Sequence, residues 1–314
     1  NKSKAEEIVK KCVGKNATIT ETIKPSTQKS PTLYDLTSLQ RESNMRFGYP
    51  AKMTLSITQS LYEKHKVITY PRTSSRCLPE DYLNHVKNVF DHLTKGQLGN
   101  FAQEAIEKNY IKKDKRIFNN KKVSDHFAII PTTNLPKKLT ENEQKIYTII
   151  LQRFLAVFFP AAQFLNTTRI SEVENEFFKT EGKVLKSAGW KKIYQKSDSD
   201  NDKIIDPIPE GIKPLLIDVD INEDETKPPA RFSESTLLSA MESAGKNIEN
   251  EELRDAMKER GLGTPATRAA IIEKLVSDKY LVRENKELIP TSKAFDLYKL
   301  ISAMQIQQLK SPEL

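Results

Sequence analysis

The feature that most limits the fold of this chain is a change of period in its middle. The segment "NEQKIYTIILQRFLAVFF", residues 142–159, is long and apolar enough for a buried helix, and Pro160 ends it. From about Gln163 to Asp220 the pattern alternates instead. There "FLNTTRISEV", "NEFFKTEGKVL", "GWKKIY" and "KPLLIDVDI" read as strands joined by polar turns. A sheet region therefore interrupts a helical chain. Near the N-terminus a helix over residues 5–12 precedes the alternating "ATITETI", which is placed to pair with that sheet across the helical insertion. "KPSTQKSP" and "NEDETKPP" read as linkers, and "KSDSDND" as a flexible acidic loop. The expected fold class is α+β, mainly helical.

Residues 32–160 are expected to be mostly helical. Leu36 and Leu39 fit one helix; Met53, Ile57 and Leu61 recur every four residues on the next, with "FGYP" as the turn between. After residue 230 helices return. In "GTPATRAAIIEKLVSDKYLVRENKELIPT" a helix over residues 265–276 is followed by strands at 280–283 and 287–290, a pattern similar to a winged helix. Thr264 is the expected cap and Pro265 fits the first turn. Thr267 and Arg268 lie in that turn, where unpaired amides attract phosphate and an exposed arginine adds to the attraction. An ordinary capped helix is the plainer reading.

Charge narrows the partners. The 314 residues carry a net charge of +8 and a pI of about 9.1, a balance suited to a polyanion such as nucleic acid. "KKDKRIFNNKK", residues 112–122, is the densest basic stretch, equally readable as a solvated loop. No apolar run is long enough to cross a bilayer, and mean hydropathy is −0.58. Two cysteines, Cys12 and Cys77, cannot make a zinc site alone and suit a reducing intracellular compartment. Neither a P-loop nor a GxGxxG is found, so no nucleotide cofactor is indicated.

The chemistry-bearing stretch is "VITYPRTSSR", set between two amphipathic segments. A tyrosine hydroxyl titrates near ~10 and is a weak nucleophile. A guanidinium beside it favours the phenolate and neutralises a phosphate oxygen, a combination suited to attack on a phosphodiester. The two-residue spacing of Tyr70 and Arg72 would place both on one side of an extended segment, and Pro71 restricts the backbone between them. An isolated YxR is far more often a buried tyrosine beside a solvated arginine. "SDHFAIIPT" supplies His126, at the edge of an apolar run, as a donor to phosphate or a structural histidine. Asp218 and Asp220 have the spacing of a DxD pair, but no third carboxylate accompanies them, and an exposed acidic strand face explains them as well.

Four blocks then occur in a fixed order: "LYDLTSLQRESNMRFGYPAKMTLSITQSLYEKHKVITYPRTSSR", "SDHFAIIPT", "PPARFSESTLLSAMESAG" and "GLGTPATRAAIIEKL". Together they resemble the type IA DNA topoisomerases, with wording most like the bacterial topoisomerase III branch. The resemblance implies a toroidal core with four segments. Residues 1–28 and 162–226 would form a β-rich arch and hinge, 29–161 the helical domain carrying the nucleophile, and 227–314 a winged-helix-like DNA-binding domain. It implies Tyr70 as the residue that cuts a strand and holds its 5′-phosphate, Arg72 as the group that positions the scissile phosphate, and His126 as a contact to the backbone near the cut. Thr267 and Arg268 would grip single-stranded DNA, with Arg231 in support. DNA, mainly single-stranded, is the implied partner; the resemblance also admits a helicase partner, and a monomer in the cytoplasm, at the bacterial nucleoid, is expected.

Two departures stand out. Ser74 occupies the place of the family's usual aspartate. The family's Toprim segment, which carries the Mg2+ carboxylates together with a glutamate and a lysine, has no counterpart in these residues, so the chain reads as a fragment, inactive alone in relaxation. Two rivals remain. A tyrosine recombinase would need an HxxR cluster, and none of His65, His85, His92 or His126 has arginine at the third following position. A non-catalytic module that binds single strands is the other.

Overall fold

The structure, a computed structural model, describes residues 2–123, 125–194, 204–206, 208–209, 211–244 and 261–305. The chain divides into two compact units: residues 1–30 with 159–228, and residues 31–158 with 229–314. The loop expected at 196–202 and the C-terminal residues 309–314 lie outside the described residues.

The first unit joins the two ends of the helical insertion. It holds α1 (Lys2–Cys12), β1 (Thr18–Gln28), β2 (Ala162–Val173) and β3 (Glu176–Ser187). The strands form an antiparallel sheet in the order β1-β2-β3, with Thr18 opposite Glu172 and Gln28 opposite Ala162. The pairing expected across the insertion is thus present. Glu174 and Asn175 both have positive φ, 51° and 64°, the conformation a two-residue hairpin between β2 and β3 requires. A small core of Cys12, Ala17 and Val173, flanked by Ile8, Ile19, Phe178 and Leu216, seats α1 on the sheet.

Three expectations fail in this unit. "KPSTQ" is not linker but the end of β1, with Pro25 opposite Leu165. β1 is an edge strand, where a missing N–H leaves no ladder bond unmade on the open side. "GWKKIY" is a 3-10 helix, Gly189–Tyr194, instead of a strand. Trp190 donates its backbone N–H to Pro160 O at 3.0 Å and its indole N–H to Gln28 O at 2.8 Å, so the ring closes the end of the sheet. "KPLLIDVDI" forms a single bridge, Asn16 to Leu215, and no strand. Its inward residue is Leu216, whereas Leu215 and Ile217 are 55% and 81% exposed. Its backbone bonds go to the turn at residues 14–17, through Leu216 N to Lys15 O, Gly14 N to Leu216 O and Ala17 N to Pro214 O, each at 2.8 Å.

The second unit is helical. Its first part holds α2 (Leu36–Phe47), α3 (Ala51–Glu63), α4 (Leu83–Leu93), α5 (Gly99–Glu107) and α6 (Glu141–Phe158). Asp35 caps α2 in a capping box with Ser38, and Gly48 ends it at φ 71°. Phe90, Phe154 and Phe158 stack mutually at 5.1–5.6 Å to centre the core. The stripe expected on α3 is rotated. Thr54, Thr58 and Leu61 are fully buried, while Met53 and Ile57 are half-buried. Burial of the threonines is possible because their hydroxyls are satisfied: Thr54 donates to Ser43 Oγ at 2.9 Å and Thr58 to Thr54 O at 2.9 Å.

The remaining part of this unit holds α7 (Glu234–Glu242), α8 (Pro265–Ser277), the hairpin β4 (Leu281–Glu284) and β5 (Glu287–Pro290), and α9 (Ser292–Ala303). The helix and two-stranded hairpin expected at residues 265–290 are present. A cluster of Ala51, Leu238, Met241, Ala269 and Ile272 joins α3, α7 and α8. Polar groups complete the seam. Buried Glu234 accepts from Ala51 N at 2.7 Å and from Arg283 Nε at 2.6 Å. Arg76 bridges Asp35 and Glu242, both at 2.8 Å. Burial would lower the Arg76 pKa, but Asp35 and Glu242 outweigh it and hold it raised.

Candidate active site

Tyr70 lies in the connection between α3 and α4, on a segment stitched to a second segment far away in sequence. Thr69 N donates to Ile130 O at 3.0 Å, and Thr69 Oγ1 both donates to Ala128 O and accepts from Ile130 N. Thr132 N donates to Val67 O at 3.0 Å, and Thr73 Oγ1 donates to His126 O at 3.0 Å. Ile129 N in turn donates to Tyr34 O, and Leu36 N to Thr73 O. Backbone polarity is thus satisfied within the core, with Val67, Ile68, Ala128, Ile129 and Ile130 buried beneath.

The stitching brings two of the candidate residues together. The rings of Tyr70 and His126 lie 4.2 Å apart at 42°. Tyr62, from the last turn of α3, meets Tyr70 edge-on at 5.5 Å and 80°. Tyr70 is half-buried and His126 is exposed. Sequence reasoning missed Tyr62. The available signal was an aromatic residue directly after Leu61, off the apolar stripe of an amphipathic helix.

Arg72 has other neighbours. A bend at Pro71–Arg72 replaces the straight extended segment that the YxR spacing suggested. The exposed Arg72 lines a groove of about 620 Å³ between α3 and α8, with Lys52 and Gln59 on one wall and Ala266, Glu273 and Lys274 on the other. Ser74 is exposed, while Ser75 is buried and donates to Lys122 O at 2.7 Å.

The start of α8 separates its two candidates. Thr267 is exposed, and its hydroxyl accepts from Thr264 N at 2.9 Å, closing a capping box. Arg268, expected to be exposed, is only 3% exposed. Its Nε donates to Leu262 O and its Nη1 to Thr37 Oγ1, both at 3.0 Å. Burial lowers its pKa against the opposing pull of Glu242 and Asp35. The cause is helical geometry: successive side chains point about 100° apart, and position 268 falls on the packed face with Ala269 and Ile272 while Thr267 lies off it. Arg231 is exposed just ahead of α7.

Metal chemistry finds no holder in these residues. Among the described residues no three His, Cys, Asp or Glu side chains converge. Asp218 and Asp220 are exposed, lie in the first unit, and Asp218 Oδ1 is taken by the N–H of Val219.

The family model for DNA topoisomerase matches residues 1–314. The chain belongs to the type IA DNA topoisomerase family. It is 41% identical to DNA topoisomerase 3 of Bacillus cereus and 39% identical to that of Bacillus subtilis. Each match covers all of this chain and 44% of the relative, so the chain spans less than half the length of these topoisomerases. In fold it is similar to full-length topoisomerase I from Thermotoga maritima, with a TM-score of 0.67 at 23% identity over 96% of this chain and 48% of that one. No helix among the described residues is long and apolar enough to cross a membrane.

Proposed function

We propose that the chain is the strand-cutting part of a type IA DNA topoisomerase and that Tyr70 is its nucleophile. The observation that carries this reading is the meeting of Tyr70 and His126, 56 residues apart in sequence, with Arg72, two residues on from Tyr70, lining a groove. Tyr70 Oη attacks the phosphorus of a single strand in line. A phosphotyrosine bond to the 5′-phosphate forms, the bond to the 3′-oxygen breaks, and the leaving oxygen takes up a proton as the phenol loses one. Arg72 and His126 neutralise and orient the phosphate, and the Tyr62 ring limits the swing of Tyr70. Religation is the reverse displacement by the 3′-hydroxyl.

The groove between α3 and α8 is where a single strand reaches Arg72, with Thr267 and Arg231 as outer backbone contacts. Arg268 acts at one remove, by holding the start of α8 against Thr37. In this reading residues 31–158 form the nucleophile domain, the three-stranded unit the arch and hinge, and α8 with β4 and β5 the winged-helix grip on DNA. The side chains around Tyr70 do not fit Mg2+, the ion that the family resemblance implies; carboxylates supplied from elsewhere would have to hold it, where it would offer charge stabilisation to the phosphate. The enzyme acts on DNA in the bacterial cytoplasm.

The test is covalent capture of a 5′-labelled or internally labelled single-stranded oligonucleotide, with Tyr70→Phe as control, and relaxation of negatively supercoiled plasmid. We expect no relaxation by this chain alone, and relaxation when a matching Toprim segment is added in trans with Mg2+. Retention of DNA with no capture in either setting would leave the chain a binding module. Tyr70-dependent relaxation by the chain alone would show that its own residues suffice.

A further inference from the structure

The basic stretch at residues 112–122 is not a loose solvated loop. Asp114 Oδ1 accepts from Arg116 N at 2.8 Å, and Asp114 O accepts from Ile117 N and Phe118 N at 2.9 and 2.8 Å. Leu78 N donates to Ile117 O at 2.7 Å and Asn119 N to Leu78 O at 2.9 Å, a parallel bridge that ties the stretch to the segment following Tyr70. Asn120 Oδ1 accepts from Glu80 N at 2.9 Å, and Asn119 Oδ1 from Lys121 N at 3.1 Å. Ile117 and Phe118 are buried as anchors.

On this frame Lys113, Lys115 and Lys121 are exposed and line a pocket of about 490 Å³ with Phe118, Glu80 and Asp114. Lys108, Lys145 and Lys274 each take a carboxylate four residues away. Lys113, Lys115 and Lys121 form no ion pair among the described residues, although Glu80 and Asp114 stand nearby. Asp114 is engaged by Arg116, at 3.7 Å from its Nε. Within 112–122 six basic residues face one acidic residue, Asp114. A cluster of ammonium groups on a backbone held in place fits a polyanion with closely spaced charges, since the backbone needs no further ordering and each phosphate neutralised releases counterions.

We propose that Lys113, Lys115 and Lys121 form a second anion site, which holds the phosphodiester backbone of DNA away from the point of cleavage. This rests on the reading that DNA is the ligand. Leu78 stands eight residues after Tyr70. Extended chain over that interval reaches at most about 27 Å, so one strand passing Tyr70 is long enough to touch both places. The site steadies the flanking DNA and leaves the chemistry to Tyr70.

The test measures affinity of the chain for a 25-nucleotide single strand and for the same sequence as a duplex, each across a salt series. The triple substitution Lys113→Gln, Lys115→Gln, Lys121→Gln is set beside a charge-matched control, Lys4→Gln, Lys10→Gln, Lys15→Gln, and thermal unfolding checks that both fold. The triple variant is expected to flatten the slope of log affinity against log salt by about 2 for the single strand or about 3 for the duplex. The form whose slope changes is the form held. The control is expected to leave both slopes unchanged. Unchanged slopes in the triple variant, or equal flattening in the control, would overturn the site while wild-type binding upholds the DNA reading. Absence of wild-type binding to either form would overturn both.

Discussion

Two regions carry candidate DNA contacts, and they are built on opposite plans. Around Tyr70 the chain is irregular and bends at Pro71–Arg72, Val67 and Thr69 are tied by backbone bonds to Thr132 and Ile130, and side chains distant in sequence meet at one place. At the start of α8 the backbone is helical, and two adjacent residues part company: Thr267 faces solvent and Arg268 is buried against Thr37. A non-helical segment tied to a distant one can offer a reactive group beside a core. A helix packed on one side divides neighbours between surface and seam. The lesson is that a shared motif does not give its residues a shared task.

The comparison breaks most visibly at the nucleophile. Tyr70→Phe is expected to abolish covalent capture and leave the unfolding temperature unchanged, because the change removes one hydroxyl from a half-buried ring. Residual capture would move the nucleophile elsewhere. The helix start should respond in the opposite sense. Arg268→Ala leaves Thr37 Oγ1 and Leu262 O short of a donor in a buried place and is expected to cost roughly 2–3 kcal/mol in urea unfolding. A variant of wild-type stability would show that the seam does not depend on it.

A second helix start sharpens the point through pH. At the N-terminus of α6, burial alone would raise the Glu143 pKa, but bonds from Ser60 Oγ and from the N–H and hydroxyl of Thr140, with His65 at 3.2 Å, bring it down to about 2. A carboxylate depressed in the folded state contributes stability above its unfolded pKa, near ~4.3. That contribution is lost as pH falls from about 5 towards 2. Unfolding measured across that range should show a loss of about 3 kcal/mol that is absent in Glu143→Gln. An equal loss in the variant would place the acid sensitivity elsewhere.

Smaller effects separate packing from chemistry. Tyr62→Ala is expected to slow capture by up to about tenfold, the worth of one edge-to-face pair of roughly 0.5–1.5 kcal/mol, and Tyr62→Phe to restore it. Failure of phenylalanine to restore capture would give the Tyr62 hydroxyl a role of its own. Thr267→Ala should cost least, about 0.5–1 kcal/mol for the lost capping box, with weaker single-strand binding. Unchanged binding would remove this helix start from the DNA path.

Local pattern determined much of this molecule by itself. The apolar run at 142–159 had one low-energy solution, a buried helix. The alternation of "ATITETI" and "FLNTTRISEV" specified partners in one sheet, and the "GTPATR" cap specified where α8 begins. These are near-neighbour effects, set by side-chain period and backbone propensity. Four long blocks in order were enough to show the family, because such a coincidence does not arise from composition. Where an apolar period was weak, local pattern misled: "KPLLIDVDI" alternates, yet only a short turn is there to pair with it, and a strand needs a partner to satisfy its backbone. The buried face of α3, the closure of the sheet by Trp190, and the burial of Arg268 were decided by tertiary structure. So was the approach of Tyr62 and His126 to Tyr70. Each depends on what a distant segment presents, and a chain read locally holds no record of which surfaces will meet.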